Sequence, residues 1–202
     1  MRMTLAQAAL RYAKACIPLG CNNQGVGQLS KPKAWSPTRD PLIRYEASSA
    51  VVHLKTLSPQ QGCTMQEVVA YGRKVMQYKA GNCMEQCAAA CLYLSGSHEK
   101  PVFRLVQLQP PGDHIFLVLD QLPEKNGFFP DNFADWNNQA IIIDPWVSIC
   151  CKANDYLMWW SMRLDVMATA GEELATSKGW KKANSLEWKN APSTYRKLNY
   201  TV

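Results

Sequence analysis

The sequence has no long hydrophobic run. No stretch approaches the roughly 18–20 consecutive apolar residues that a membrane-spanning helix needs, so no membrane span is expected. A secretory leader is not expected either, because Arg11 and Lys14 interrupt what should be its apolar core after Arg2. Basic blocks are also missing. Lysine and arginine outnumber the acidic residues, 22 against 16, for a net charge of +6, yet no run of five or more basic residues occurs. Nucleic-acid binding therefore has no local support, and the dispersed charge suits an acidic partner surface or simple solubility. There is no Cys-x2-Cys pair and no internal repeat. Cys83, Cys87 and Cys91 lie four apart on one helical face, which is poor spacing for zinc. No metal and no other cofactor is expected.

What is present fits a folded domain with a substantial core. The chain has 202 residues, of which 47% are hydrophobic, enough for one core with extensions. There are eight cysteines, but their placement argues against a disulfide scaffold. Three share a helix face, Cys150 and Cys151 are adjacent, and disulfide-rich scaffolds are shorter and less apolar. Reduced thiols, and folding or working in a reducing compartment, are expected.

Residues 4–16 carry a helical pattern with Leu5, Ala8, Ala9, Tyr12 and Ala13 on one side, either a docked helix or a disordered leader. Residues 18–41 are rich in Gly, Pro, Asn and Ser and read as a linker or irregular wrap. Residues 1–45 are thus expected to be an N-terminal leader or extension, in part wrapped on the core. Residues 46–202 are expected to form a catalytic domain with a C-terminal helical extension. Within it, residues 50–54 suggest a short strand. Thr64 and Glu67 form a capping box that opens a helix to about residue 78, with Val68, Val69, Gly72, Val75 and Met76 at helical spacing. A second helix starts after Gly81-Asn82 and ends near Ser95-Gly96. Strands are expected over 102–108, 114–119 and 140–143, with a Pro110-Pro111-Gly112 turn and a surface loop over 121–139. Residues 155–168 read as helix, and residues 178–202 yield no assignment.

The chemistry centres on Gly81-Asn82-Cys83-Met84-Glu85. A thiol in the first turn of a helix meets unpaired N–H groups and the positive dipole end, which favour thiolate. A nucleophilic cysteine also needs a base and a group to orient it. His114 heads one strand and Asp144 ends another, spaced 31 and 30 residues along the chain. If those strands are antiparallel neighbours, the start of one abuts the end of the other, and Cys83, His114 and Asp144 converge as nucleophile, base and orienter. The Cys83 backbone N–H would be one oxyanion donor, with Gln77 or Asn82 as candidates for a second. Trp146 either walls the site or packs in the core.

The order Gly-Asn-Cys-x-Glu, Asp-His before an apolar strand, and an apolar strand closing in Asp-Pro-Trp resembles the papain-like and transglutaminase-like cysteine enzymes. It is most similar to the branch found in bacterial secreted effectors and toxins, over roughly residues 81–146. The resemblance implies an α+β fold with a nucleophile helix packed on an antiparallel sheet, and Cys83, His114 and Asp144 as the catalytic residues. It also implies a hydrolase acting through a thioester: a protein glutamine deamidase, or alternatively a thiol protease. The substrate would be a host protein met in the host cytosol, after export without a cleaved signal; otherwise the protein would be cytoplasmic. It would act as a monomer.

Plainer readings stand beside these. Cys83 is a buried structural thiol in a non-catalytic binding or adaptor module, as Cys87 and Cys91 are expected to be core residues. Asp144 before Pro145 merely ends a strand, and Glu85 serves the helix N-terminus. His53 and His98 are rival bases. Tyr156, Met158, Trp159 and Trp160 form either a core helix or a partner patch.

Overall fold

A computed structural model of the chain describes residues 2–26, 41–109, 113–176 and 179–201. Helix α1, Arg2–Cys16, is followed by strand β1, Gln24–Val26, and helix α2, Pro41–Leu57. Helices α3, Met65–Tyr78, and α4, Cys83–Ser95, come next, then strands β2, Phe103–Leu108, β3, Ile115–Leu119, β4, Phe128–Phe129, β5, Ile141–Asp144, and β6, Ile149–Lys152. Helix α5, Tyr156–Thr169, strands β7, Glu172–Thr176, and β8, Gly179–Lys182, helix α6, Leu186–Thr194, and strand β9, Lys197–Asn199, complete the order.

The architecture is α+β. A six-stranded antiparallel sheet runs β4-β9-β2-β3-β5-β6, and a three-stranded antiparallel sheet runs β1-β7-β8. All five residues of β3 and all four of β5 are buried. Such continuous apolar strands, without polar alternation, need cover on both faces. Helix α4 supplies part of it. Cys87, Ala88, Ala89, Ala90 and Cys91 are fully buried, and small side chains all round let the helix pack on α1, α3 and β3 at once. At Gly72 of α3 the approach is closest: a Cβ there would lie 2.4 Å from the Ala88 carbonyl oxygen.

The α3 capping box forms as its sequence predicts, with Thr64 N–H donating to Glu67 at 2.7 Å and Glu67 N–H to Thr64 Oγ1 at 3.3 Å. Residues 50–54, expected to be a strand, lie instead within α2. Ala47, Val51 and Leu54 recur at helical spacing and are buried, whereas Val52 is exposed, so the 3.6-residue period overrides the β preference of the two valines. Residues 2–16 take the docked alternative: Leu5, Ala6, Ala9 and Ala13 are buried in the main core. Most of the expected linker, residues 27–40, and the Pro110-Pro111-Gly112 turn lie outside the described residues. The C-terminal part, expected to be a helical extension, also supplies β7, β8 and β9, and β9 sits inside the main sheet between β4 and β2. Among the described residues, which include all eight cysteines, no disulfide forms, and no helix is long and apolar enough to cross a membrane.

Candidate active site

Cys83 is the first residue of α4, and the turn before it is fixed from several sides. Lys79, in the left-handed region at φ 57°, ends α3. A Cβ on Gly81 would lie 2.2 Å from Glu85 Cβ, so only glycine lets Glu85 fold back over the turn. Glu85 is buried; its Oε2 accepts from Asn82 N–H at 2.8 Å and its Oε1 from the Tyr71 hydroxyl at 2.7 Å. Burial, then the charge of Glu85, pushes the Tyr71 hydroxyl far above its ordinary range, so it stays a donor. Gln86 Nε2 donates to the Gly81 carbonyl at 3.1 Å. Glu85 and Gly81 are therefore the clamp that presents Cys83. The Cys83 backbone N–H lies in the first turn, where a helix offers it no internal partner.

A second segment lies against this turn. Gly81 N–H donates to Gly20 O at 3.0 Å, and Gly20 bridges Ala80. Asn22 N–H donates to Asn82 Oδ1 at 3.2 Å, and Asn82 Nδ2 donates to Asn22 Oδ1 at 2.9 Å. Asn23 Oδ1 accepts from Trp146 Nε1, and Gln24 Nε2 donates to Trp146 O, both at 2.9 Å. Residues 20–24 thus span from the cysteine turn to Trp146.

The sheet delivers the other two groups. Strands β3 and β5 are antiparallel, with Leu117 opposite Ile143. One step further sets Asp144 opposite Phe116, diagonal to His114 and on the same face, a separation that side chains bridge. His114 Nε2 and Asp144 Oδ2 are 2.7 Å apart, and the two residues are 1% and 0% exposed. That pairing leaves Nδ1 as the ring nitrogen for the thiol. Nδ1 has no partner that satisfies hydrogen-bond geometry, yet Cys83 is near enough to act on the ring through hydrogen bonding and charge. Cys83 is thus within reach of the imidazole, and Nδ1 is the ring nitrogen that Asp144 leaves open to it. Burial alone would lower the imidazole pKa; the charge and hydrogen bond of Asp144, then Cys83, reverse this and push it up to about 10.

Aromatic rings enclose the imidazole. Trp146 and Trp160 each lie 5.1 Å from it, and Phe116 lies 6.1 Å away, centroid to centroid. Trp146 is 2% exposed, so it packs in the core and walls the histidine at once. Trp160 is held by its Nε1 donating to Trp188 O at 2.8 Å.

Of the sequence-predicted residues, Cys83, His114, Asp144, Asn82 and Trp146 come together. Gln77 does not: it is exposed on α3, because Val68, Tyr71, Gly72 and Val75 hold the buried stripe of that helix. Asn82 and its partner Asn22 remain as amide donors beside the cysteine. The rival bases His53 and His98 are exposed, as is Asp113. Cys87 donates to Ile115 O at 3.4 Å, and burial drives its pKa and that of Cys91 well up, so both serve as packing. Among the described residues no group of three or more potential metal ligands is gathered.

Sequence reasoning missed Asn22 and Asn23, which read there as linker, and the contact of Tyr156. The Tyr156 hydroxyl donates to Asp144 Oδ2 at 2.7 Å. The only signal for it is a tyrosine at the head of an aromatic helix, which reads equally well as core. No protein-family model, no curated protein and no solved structure matches this chain.

Proposed function

We propose that the chain is a cysteine-dependent amide hydrolase, and within that class a protein glutamine deamidase. The observation that supports it most is the buried His114–Asp144 pair at 2.7 Å with its second ring nitrogen left to Cys83 at the tip of α4. In this reading the imidazole already holds the thiol's proton, and the Cys83 thiolate attacks the carboxamide carbon. The oxyanion that forms is received by the Cys83 N–H and by an amide of Asn82 or Asn22. His114 then protonates the departing nitrogen, ammonia leaves, and a thioester remains on Cys83. Water, deprotonated by His114, releases the product carboxylate and restores the thiol. Asp144 holds the imidazole in orientation and stabilises its charged form.

The choice of a glutamine side chain, the host-protein substrate and the papain-like or transglutaminase-like ancestry rest on the resemblance of Gly81-Asn82-Cys83-Met84-Glu85, His114 and Asp144-Pro145-Trp146 to that branch. So does action as a monomeric effector in host cytosol. The test is mass spectrometry of candidate substrate proteins after incubation with the enzyme. Deamidation adds about one dalton to an intact chain through exchange of an amine for a hydroxyl. Backbone fragments would establish a protease in its place. A product that persists with Cys83→Ala would remove the nucleophile assignment altogether.

A further inference from the structure

One strong buried contact has no part in those steps. Tyr156, the first residue of α5, is fully buried and donates to Asp144 Oδ2 at 2.7 Å, the oxygen that also meets His114 Nε2 at 2.7 Å. Asp144 Oδ1 is buried without a partner. Two donors therefore converge on one oxygen of a fully buried carboxylate. A carboxylate tied to the imidazole alone would be free to swing about its Cβ–Cγ bond; the second donor, coming from a different element, fixes its plane. An ionised carboxylate in such surroundings also needs every donor it has.

We infer that Tyr156 is a positioning residue of the catalytic array, acting through Asp144 Oδ2 to hold the carboxylate in place and so to set the orientation and protonation of His114 beside Cys83. The inference rests on the reading of Cys83, His114 and Asp144 as the working triad. Burial, then Asp144, drives the Tyr156 hydroxyl well above its ordinary pKa, so it remains a donor across the whole titration of the imidazole. The titratable groups that face this cluster are Cys83 and Cys87 from α4, His114 ahead of β3, Asp144 on β5 and Cys151 on β6. The Tyr156 ring itself packs on Phe116 at 5.1 Å, Phe133 at 5.2 Å and Trp160 at 5.9 Å. A phenylalanine keeps those contacts and removes only the hydroxyl. Without it the Asp144 charge is no longer shared with the hydroxyl and acts undiminished on the imidazolium, so His114 keeps its proton to higher pH.

The experiment is the rate of Cys83 alkylation by iodoacetamide against pH, from about pH 5 to 11, read by peptide mass mapping. Wild type, His114→Ala and Tyr156→Phe are compared, each checked for folding by near-UV circular dichroism. The expected result is an upper break in the wild-type profile that His114→Ala abolishes and Tyr156→Phe moves up by about half a pH unit, the part of a charge-assisted hydrogen bond that differs between the two protonation states of the imidazole. If Tyr156→Phe misfolds, a ring-fluorinated tyrosine at the same position serves instead. Its more acidic hydroxyl donates more strongly and should move the break downward. A break that depends on His114 but stays put in the Tyr156 variant overturns this inference and leaves the triad standing. A profile without any His114-dependent break overturns both.

Discussion

Replacing Asp144 with asparagine tests the electrostatic core of the site without needing a substrate. The amide has nearly the shape of the carboxylate and can still accept from Tyr156, but it carries no charge. In the folded protein His114 is pushed from 6.5 up to about 10, with burial opposing and Asp144 outweighing it. A folded-state pKa above the unfolded one gives stability that is complete below about pH 6.5 and disappears as pH rises through about 10. At about 1.4 kcal/mol per tenfold change in proton affinity, the rise corresponds to at most ~5 kcal/mol; 3–5 kcal/mol is roughly what breaking a buried pair costs. Asp144→Asn should remove this contribution, because burial alone then favours neutral imidazole. Wild type should exceed the variant most at about pH 6, and the gap should shrink by ~3 kcal/mol or more on going to about pH 10.5. Urea midpoints at several pH values, with equal slopes, give the measurement. Lys197 runs the other way: burial lowers its pKa to about 8, so its contribution improves between about pH 8 and 10.5. It is present in both proteins and cancels in the difference. A gap that stays constant across this range would show that Asp144 does not hold His114 as a cation, and the account of the base would fail.

Other consequences follow from the packing. Gly72→Ala sets a Cβ 2.4 Å from a backbone oxygen that cannot rotate away, so α3 and α4 must part. A loss of about 1–3 kcal/mol is expected, together with slower turnover because Cys83 rides on α4; an unchanged melting midpoint would contradict the close approach. Gly81→Ala drives Glu85 off the turn. With the nucleophile displaced by about an ångström, activity should drop on the order of 10²-fold while the protein stays folded; undiminished turnover would show that the clamp is dispensable. At about pH 7.5, alkylation should reach Cys83 before the other sheet and helix thiols. Burial pushes Cys150 up to about 11 and Cys151 to about 12, which leaves roughly 10⁻³ or less of either as thiolate. Peptide mapping that found Cys150 modified alongside Cys83 would count against selective activation.

The parts of the fold legible in the sequence are those whose signal is local and periodic. The Thr64–Glu67 box, the α4 start after Gly81-Asn82, and β2, β3 and β5 all sit within a residue or so of expectation. The misread parts have weak or competing local signals. Val51 and Val52 favour a strand residue by residue, but only the spacing of Ala47, Val51 and Leu54 shows where the core lies. Strand β9 has three residues, and its place between β4 and β2 comes from pairing partners roughly 70 and 90 residues away in the chain. No pattern within residues 178–202 carries that information.

The site divides along the same line. Cys83, His114 and Asp144 could be placed because each stands at an element boundary, and boundaries leave turn and cap residues behind them. Their supports could not, because a tyrosine that bonds a carboxylate looks in sequence like any other core tyrosine. Yet the supports follow one plan. Tyr71 holds Glu85, which holds the turn that presents the nucleophile; Tyr156 holds Asp144, which holds the base. Each of these two buried carboxylates takes two donors, one from a tyrosine on a different element and one from the group it positions. A site built this way fixes two partners from different parts of the chain without exposing either charge to water. The same logic explains why Glu85, two residues from the cysteine and the obvious acid in the motif, has no free oxygen for chemistry: both are committed to holding the turn.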